Sequence, residues 1–301
     1  KYDSAIKETV RQAKQVPVLI NYTLGKTRAE KKPDASDLAL IEKIEESEIP
    51  YWFPTNRMPE GDNTAQPKGS HGLTHVHHFY TKRNLWVLAD LRRLLKKKEF
   101  LLLFNSQLVN ISKLNRYRIG ISFPYNPLSG TLYIGSQVAE SNVFTAYKNK
   151  IDRLVDAFSL PHQISAISTK SATDKGMIPD NSFTYLFLDP PFGSNINYSE
   201  LNFLWESWLK VWTNNKPEAI ESKVQGKGPQ EYHRLMTNCF KEANRVLKPG
   251  HWMTVEFSNT KASVWNSIQT ALGEAGFIVA NVSVLDKQQH TFKAVTTPTA
   301  V

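Results

Sequence analysis

The most restrictive feature of this chain is a short apolar run that ends in two consecutive prolines. Residues 186–194 read LFLDPPFGS. Each proline ring fixes φ near about −65° and removes a backbone N–H donor, so residues 190 and 191 are unsuited to a helix interior or a central strand. The apolar run before them predicts a buried central strand of a parallel sheet that ends at Asp189.

The same turn offers hydrogen-bond acceptors that suit a planar amine. Asp189 supplies a carboxylate, and we expect the Pro190 carbonyl to point rigidly beside it with no competing N–H. These two oxygens can accept both N–H bonds of an exocyclic base nitrogen and bias its lone pair toward a methyl donor. Phe192 supplies a ring that can stack on the base. The simpler alternative is a proline-stiffened turn after a strand, which is what an isolated Asp-Pro-Pro usually is.

The sequence around this turn resembles the amino methyltransferases that use S-adenosylmethionine to modify adenine N6 or cytosine N4 in DNA. The similarity rests on DPPF followed by Gly193, on the NYSEL stretch at residues 197–201 and on RVLKPG at residues 245–250. Residues 71–85, HGLTHVHHFYTKRNL, also look like a segment that precedes the DPPF strand in the same subgroup. DPPF with its sequel is quite specific, whereas RVLKPG is common to many methyltransferases and indicates only the fold.

The resemblance implies an α/β fold. We expect part of the Rossmann-like sheet of class I methyltransferases, with helices on both faces, and an added amino-terminal α-rich region. Residues 1–150 would be a helical and loop-rich region for DNA recognition, and residues 151–301 the catalytic half with the DPPF motif. Hydrophobic spacing in the carboxyl half agrees with alternating strands and helices. It predicts strands at 163–168, 186–188, 251–257 and 277–285, and helices at 201–212, 231–247 and 263–275.

The amino half has a weaker pattern. It predicts helices at residues 1–14 and 37–48 and a long loop at residues 53–72, which is rich in Pro, Gly and Asn. A further helix should begin after Thr81, whose side chain can cap it, and continue to Leu95.

One departure from the family concerns the cofactor. The family binds S-adenosylmethionine with a glycine-rich loop, often of the form FxGxG, and no such segment occurs in these 301 residues. Gly226 and Gly228 lie in a polar stretch after DPPF and favour a flexible link. We therefore expect a piece of a longer protein, with the cofactor loop before Lys1 or after Val301.

The function implied by the resemblance is methyl transfer from S-adenosylmethionine to N6 of adenine in double-stranded DNA, with the target nucleotide flipped out of the duplex. Restriction-modification is one setting of this family. The expected catalytic residues are Asp189, Pro190, Pro191 and Phe192, and the expected substrate-binding residues are Asn195, Asn197 and Tyr198. Adenine is preferred because DPPF or DPPY accompanies it more often. Cytosine N4, RNA, a protein amide, or DNA binding without catalysis are the alternatives.

Charge favours an anionic partner, because the chain carries a formal net charge of +9. Lys82 and Arg83 would lie in the first turn of the helix after Thr81, where free N–H groups and two cations can hold a phosphate. Arg116 and Arg118 belong to a stretch in which basic and aromatic residues alternate, as DNA contact requires. Further positive charge follows at Arg92, Arg93, Lys96, Lys97 and Lys98. A solvated surface explains each of these groups equally well.

Composition excludes several other classes. The single cysteine, Cys239, excludes an internal disulfide and a cysteine zinc cluster, and its helical spacing predicts a buried thiol. No apolar stretch approaches the roughly 20 residues needed to cross a bilayer, so we expect no membrane partner and a cytoplasmic location. Four histidines within residues 71–78 match no standard zinc spacing, so we expect no metal and favour polar and aromatic packing at a helix start.

Overall fold

The structure is a computed structural model that describes residues 1–118, 127–158, 165–174, 176, 178–194, 196–259 and 261–283. Within these residues the chain is a mixed α/β protein with eight α-helices, one 3-10 helix and three two-stranded sheets. It divides into two compact units. Unit 1 consists of Lys1–Gln163 and Tyr198–Thr213, and unit 2 of Ile164–Asn197 and Asn214–Val301. No helix in the described ranges has the length and apolar character to span a bilayer.

Unit 1 contains four strands and most of the helices. In chain order its elements are β1 (Tyr2–Asp3), β2 (Glu8–Thr9), β3 (Ile20–Leu24), β4 (Thr27–Lys31), α1 (Ala35–Glu46), α2 (Asp62–His71), a 3-10 helix (Val76–Phe79), α3 (Lys82–Leu94), α4 (Glu99–Asn105), α5 (Val143–Phe158) and α6 (Tyr198–Leu209). The pairs β1–β2 and β3–β4 are antiparallel. The core forms where α6 places Leu204 and Trp208 among buried residues that include Phe79, Leu88 and Phe104.

Unit 2 contains a parallel strand pair and two helices. Strand β5 (Phe183–Leu188) pairs in parallel with β6 (Leu247–Val255), and helices α7 (Pro229–Val246) and α8 (Ala262–Glu274) pack together. Parallel strands need a long crossover, and α7 lies in the connection that brings the chain back from β5 to β6. The core of this unit includes Tyr232 and Phe240 of α7 and Ile268 of α8.

The helix predicted for residues 1–14 is wrong. Strands β1 and β2 form a hairpin there, with Lys7 in the left-handed region at φ 57°. Asp3 accepts hydrogen bonds from the ring nitrogens of His77 and His78, each at 2.8 Å. These contacts from a distant part of the chain override the local helix pattern.

The loop predicted for residues 53–72 is also wrong in part, because residues 62–71 form helix α2. Neither its composition nor Pro67 favours a helix. The first turn is instead stabilised by Glu200 of α6, whose buried carboxylate accepts a 2.8 Å hydrogen bond from the Asn63 amide. A cap supplied from 137 residues away leaves no local signal.

Two predicted strands in unit 2 are corrected. Residues 165–168 and 277–283 are in neither helix nor strand, and the remaining residues of both predictions lie outside the described ranges. The parallel pairing of the strand before DPPF is confirmed, but its burial is not. Phe187 is 57% exposed and shares its face of β5 with Tyr185 and Phe183, which are also exposed.

The other predicted helices are confirmed, although some of their ends differ from the prediction. Helices α1, α3, α7 and α8 match within a few residues, and Thr81 caps α3 by accepting from the Asn84 amide. Helix α6 ends at Leu209, so Trp212, the last residue of the predicted helix, lies beyond it and is 49% exposed. Helix α7 ends at Val246, and Pro249 and Gly250 lie inside β6.

Candidate active site

The DPPF motif (residues 189–192) follows the carboxyl end of β5. Strand β6 ends beside it, since Leu188 pairs with Val255 and the Glu256 amide donates a 2.9 Å hydrogen bond to the Leu188 carbonyl. The residues after both strands therefore emerge at the same edge of the sheet. In parallel sheets this edge is where ligands bind.

Two side chains anchor the second half of the motif. The Tyr232 hydroxyl of α7 donates a 2.7 Å hydrogen bond to the Pro191 carbonyl. The Asn259 side-chain amide, which follows β6, donates a 2.8 Å hydrogen bond to the Phe192 carbonyl. Asn259 is itself fixed, because its side-chain oxygen accepts from the Lys261 amide and its carbonyl accepts from the Trp265 indole. Both anchors were missed in the sequence analysis.

The first half of the motif keeps its acceptors available. Asp189 is exposed, and within the described part of the chain no hydrogen bond or ion pair occupies its carboxylate. The same holds for the Pro190 carbonyl. The turn thus holds a carboxylate and an adjacent carbonyl that can accept from an incoming donor, next to two carbonyls that are already bonded.

Gly193 allows the chain to turn after the motif. It adopts φ 69°, in the left-handed region, and its carbonyl accepts a 3.2 Å hydrogen bond from the Glu221 amide. A Cβ at this position would lie 3.5 Å from Asn259 Nδ2 and from Val264 Cγ1, which is ordinary contact. The need for glycine therefore comes from the backbone conformation and not from crowding.

The Phe192 ring is partly buried in an aromatic series. It meets Phe257 edge to face at a centroid distance of 5.2 Å, and Phe257 meets Trp265 in the same way at 5.0 Å. These contacts fix the plane of the ring, so any base that stacks on Phe192 would meet a surface already oriented by its neighbours.

The other expected substrate-binding residues differ in accessibility. Asn197 is 3% exposed, whereas Tyr198, the first residue of α6, is 42% exposed. Asn195 lies outside the described residues.

The cations at the start of α3 already have partners in the protein. Lys82 donates from its ammonium to the Glu45 carbonyl at 2.7 Å, and burial lowers the pKa of Lys82. The Arg83 guanidinium binds both carboxylate oxygens of Glu140, at 2.9 and 2.5 Å, and this pairing raises the pKa of Arg83. A phosphate at this helix end would have to compete with those interactions.

The second group of expected DNA contacts is more open. Arg118 is exposed, and Arg116 is partly buried and forms a backbone bridge with Val138. The nearby Lys113 faces inward: its ammonium donates to the His78 carbonyl at 2.9 Å, and burial lowers the pKa of Lys113 to about 8. Lys113 therefore adds little to a surface that could contact DNA.

The histidine segment forms a hydrogen-bonded cluster with Asp3. The Nδ1 atom of His78 faces the amides of Thr74 and His75, at 3.2 and 3.3 Å, so it must be an acceptor. The proton of His78 is then on Nε2, which donates to Asp3 at 2.8 Å. A metal would need the lone pair of Nε2 and a proton on Nδ1. Although the two histidines and Asp3 are close enough to hold an ion, this arrangement favours protons over a metal.

Burial and pairing set the charges of this cluster. Burial lowers the pKa of His78 to about 4 and also lowers that of His77. Hydrogen bonds donated by His78 and His77 lower the pKa of Asp3 to about 2, although burial alone would raise it.

Cys239 is partly buried as a free thiol, and burial raises its pKa to about 11.

One of the missed anchors had a signal in the sequence. Asn259 follows the strand predicted at residues 251–257, and parallel strands bring their carboxyl ends together, so a polar residue there could have been placed beside DPPF. Tyr232 lies in the apolar stripe of a helix, where the sequence does not distinguish a tyrosine whose hydroxyl has a specific partner from one that only packs.

Comparisons with protein-family models, with curated proteins and with solved structures give no match to this chain.

Proposed function

We propose that the protein is an S-adenosylmethionine-dependent DNA methyltransferase that acts on the exocyclic N6 amine of adenine in double-stranded DNA. The observation that carries the proposal is that, within the described protein, only some of the acceptors in the DPPF motif are hydrogen-bonded. Its last two carbonyls are bonded to Tyr232 and Asn259, whereas the Asp189 carboxylate and the Pro190 carbonyl are left for a donor. An amine with two N–H groups is the donor that matches two adjacent acceptors.

The surrounding architecture is compatible with this proposal. A parallel strand pair with α7 in its connection is part of what a Rossmann-like methyltransferase sheet contains, and the motif lies at the ligand-binding edge. The chain contains no glycine-rich loop of the form FxGxG. S-adenosylmethionine would supply the methyl group.

The residues of this chain would act on the base. Asp189 and the Pro190 carbonyl would accept the two N–H bonds of the amine, which holds the nitrogen still and turns its lone pair toward the donor. Phe192 would stack on the flipped base and offset part of the few kcal/mol that unstacking costs. Asp189 need not remove a proton before transfer, because the nitrogen becomes acidic only after methylation.

The test is methyl transfer from labelled S-adenosylmethionine to duplex DNA by the full-length protein, followed by mass analysis of the nucleosides. We expect N6-methyladenine, and we expect Asp189→Ala and Asp189→Asn to abolish it while DNA affinity changes little. Asp174→Ala, at an exposed carboxylate of the same unit, is the matched control. N4-methylcytosine would move the substrate to cytosine. Retained transfer in both Asp189 variants would refute the assignment of the site.

A further inference from the structure

Unit 1 contains a cationic cavity of about 370 Å³ that is separate from Lys82 and Arg83, the DNA contacts expected at the start of α3. It is lined by Trp52, Arg92, Arg93, Leu95, Lys96 and Lys210. Four of these six residues carry positive charge. Arg92 and Arg93 belong to the last turn of α3, Lys96 follows that helix, and Lys210 follows α6. The two helices thus bring cations from distant parts of the sequence to one place.

Little negative charge in the described structure offsets these cations. Arg93 pairs with Asp90, and Arg92 donates to the Trp208 carbonyl at 3.3 Å. Lys96 forms no ion pair or hydrogen bond with a described residue, and the Lys210 ammonium lies over the Trp52 ring, 4.0 Å from its centroid. The negative end of the α3 dipole can explain the two arginines. The carboxyl ends of α3 and α6 also favour a cation at Lys96 and at Lys210, but they supply no anion to pair with either ammonium.

The aromatic wall of the cavity is accessible. Trp52 is 44% exposed, and its orientation is fixed by an edge contact with the buried Trp208 at a centroid distance of 6.1 Å. A fixed ring beside two lysines that have no anionic partner among the described residues suits a ligand that carries both negative charge and a flat surface. A nucleic acid has both, since its phosphates attract cations and its bases stack on aromatic rings.

We infer that this cavity is a contact site for the DNA substrate. A backbone phosphate would lie between Lys96 and Lys210, with the neighbouring base or sugar against the exposed part of Trp52. The inference rests on the proposed function for the identity of the polyanion. It places the contact away from Lys82 and Arg83, whose charges the protein already satisfies.

The test compares two double variants of the full-length protein by fluorescence anisotropy with labelled duplex DNA at several salt concentrations. The first is Lys96→Ala with Lys210→Gly, because Lys210 has φ 58° and glycine adopts that conformation without strain. The second is Lys14→Ala with Lys26→Ala, which removes the same charge at exposed lysines that do not line the cavity. Melting temperatures establish that both remain folded.

We expect the cavity variant to bind DNA about tenfold more weakly. Its plot of log affinity against log salt concentration should be shallower by about 2, as the loss of two phosphate contacts requires. Equal affinity and slope in the two double variants would overturn the inference, as would a parent protein that binds no duplex DNA. Weaker binding by the cavity variant, in a protein that transfers no methyl group, would support the cavity and count against the proposed function.

Discussion

The Tyr232 hydroxyl donates a 2.7 Å hydrogen bond to the Pro191 carbonyl, which joins helix α7 to the turn after β5. Tyr232 is fully buried, and burial raises the pKa of its hydroxyl, so it remains a neutral donor across the ordinary pH range. The helix thereby fixes the direction of the carbonyl next to the one proposed to accept from the substrate.

Tyr232→Phe should therefore impair the site more than the fold. Loss of one hydrogen bond costs about 1 kcal/mol of unfolding free energy, somewhat more if the Pro191 carbonyl stays without a partner. We expect about a tenfold lower kcat with KM little changed, since the turn is displaced but the substrate still binds. Steady-state methyl transfer and thermal melting measure the two effects.

Tyr185→Phe is the matched control. It removes a hydroxyl that donates to Thr254 at 2.7 Å across the β5–β6 pair, away from the motif. If both variants lowered kcat equally, the Tyr232 bond would have no specific role in positioning the turn.

Gly193→Ala should also separate activity from stability. At φ 69° an alanine costs about 1 to 2 kcal/mol in backbone strain, and the turn would relax away from that conformation. Gly226→Ala meets a similar backbone penalty at φ 66°, with no neighbouring atom within 4 Å. We expect similar losses of unfolding free energy, but reduced methyl transfer only for Gly193→Ala. Normal transfer by that variant would mean that the turn tolerates a shift at this residue.

The sequence predicts those parts of the structure that depend on neighbouring residues. Thr81 caps α3 through an amide three residues away, and the prolines stop β5 by their own geometry, so both were predicted. Helix α2 depends on Glu200 and the first hairpin depends on two histidines more than 70 residues away. Such contacts have no local pattern, and the local propensity there favours a different structure.

The candidate site shows the same division. Asp189 and Phe192 could be proposed as site residues from the sequence because two prolines fix the backbone of the turn between them. The side chains that anchor the turn come from α7 and from the residues after β6, and only the folded topology brings them to it.

The close approach of Glu200 to Gly61 predicts how substitutions at the start of α2 change the free energy of unfolding. A Cβ on Gly61 would overlap the Glu200 carboxylate, which is 4% exposed and caps the helix through Asn63. Gly61→Ala should therefore lower the free energy of unfolding by about 2 kcal/mol, as overpacking of a buried site does. Gly69→Ala, inside the same helix with no atom within 4 Å, should raise it by up to about 1 kcal/mol. Urea denaturation distinguishes these opposite signs, and a neutral Gly61→Ala would show that Glu200 moves freely.

The cluster of Asp3, His77 and His78 predicts how stability changes with pH. The pKa of His78 is about 4 in the folded protein and 6.5 when exposed, so the unfolded chain binds the extra proton between these values. The contribution of His78 to the free energy of unfolding is therefore fully present above pH 6.5 and is lost as the pH falls toward 4. The loss amounts to about 3 kcal/mol, at 1.36 kcal/mol per pKa unit. Asp3 extends the loss of stability below pH 3.8, as the pH falls toward its folded pKa of about 2.

The variant His78→Gln keeps an N–H donor for Asp3 but loses the buried imidazole ring, so it should be less stable than the parent at pH 7. Because glutamine is not protonated, the variant should lose less stability than the parent between pH 7 and pH 5. His251→Gln, the same substitution at an exposed histidine, is the control. Melting temperatures across this range measure the difference, and an unchanged slope in His78→Gln would show that this histidine is not the titrating group.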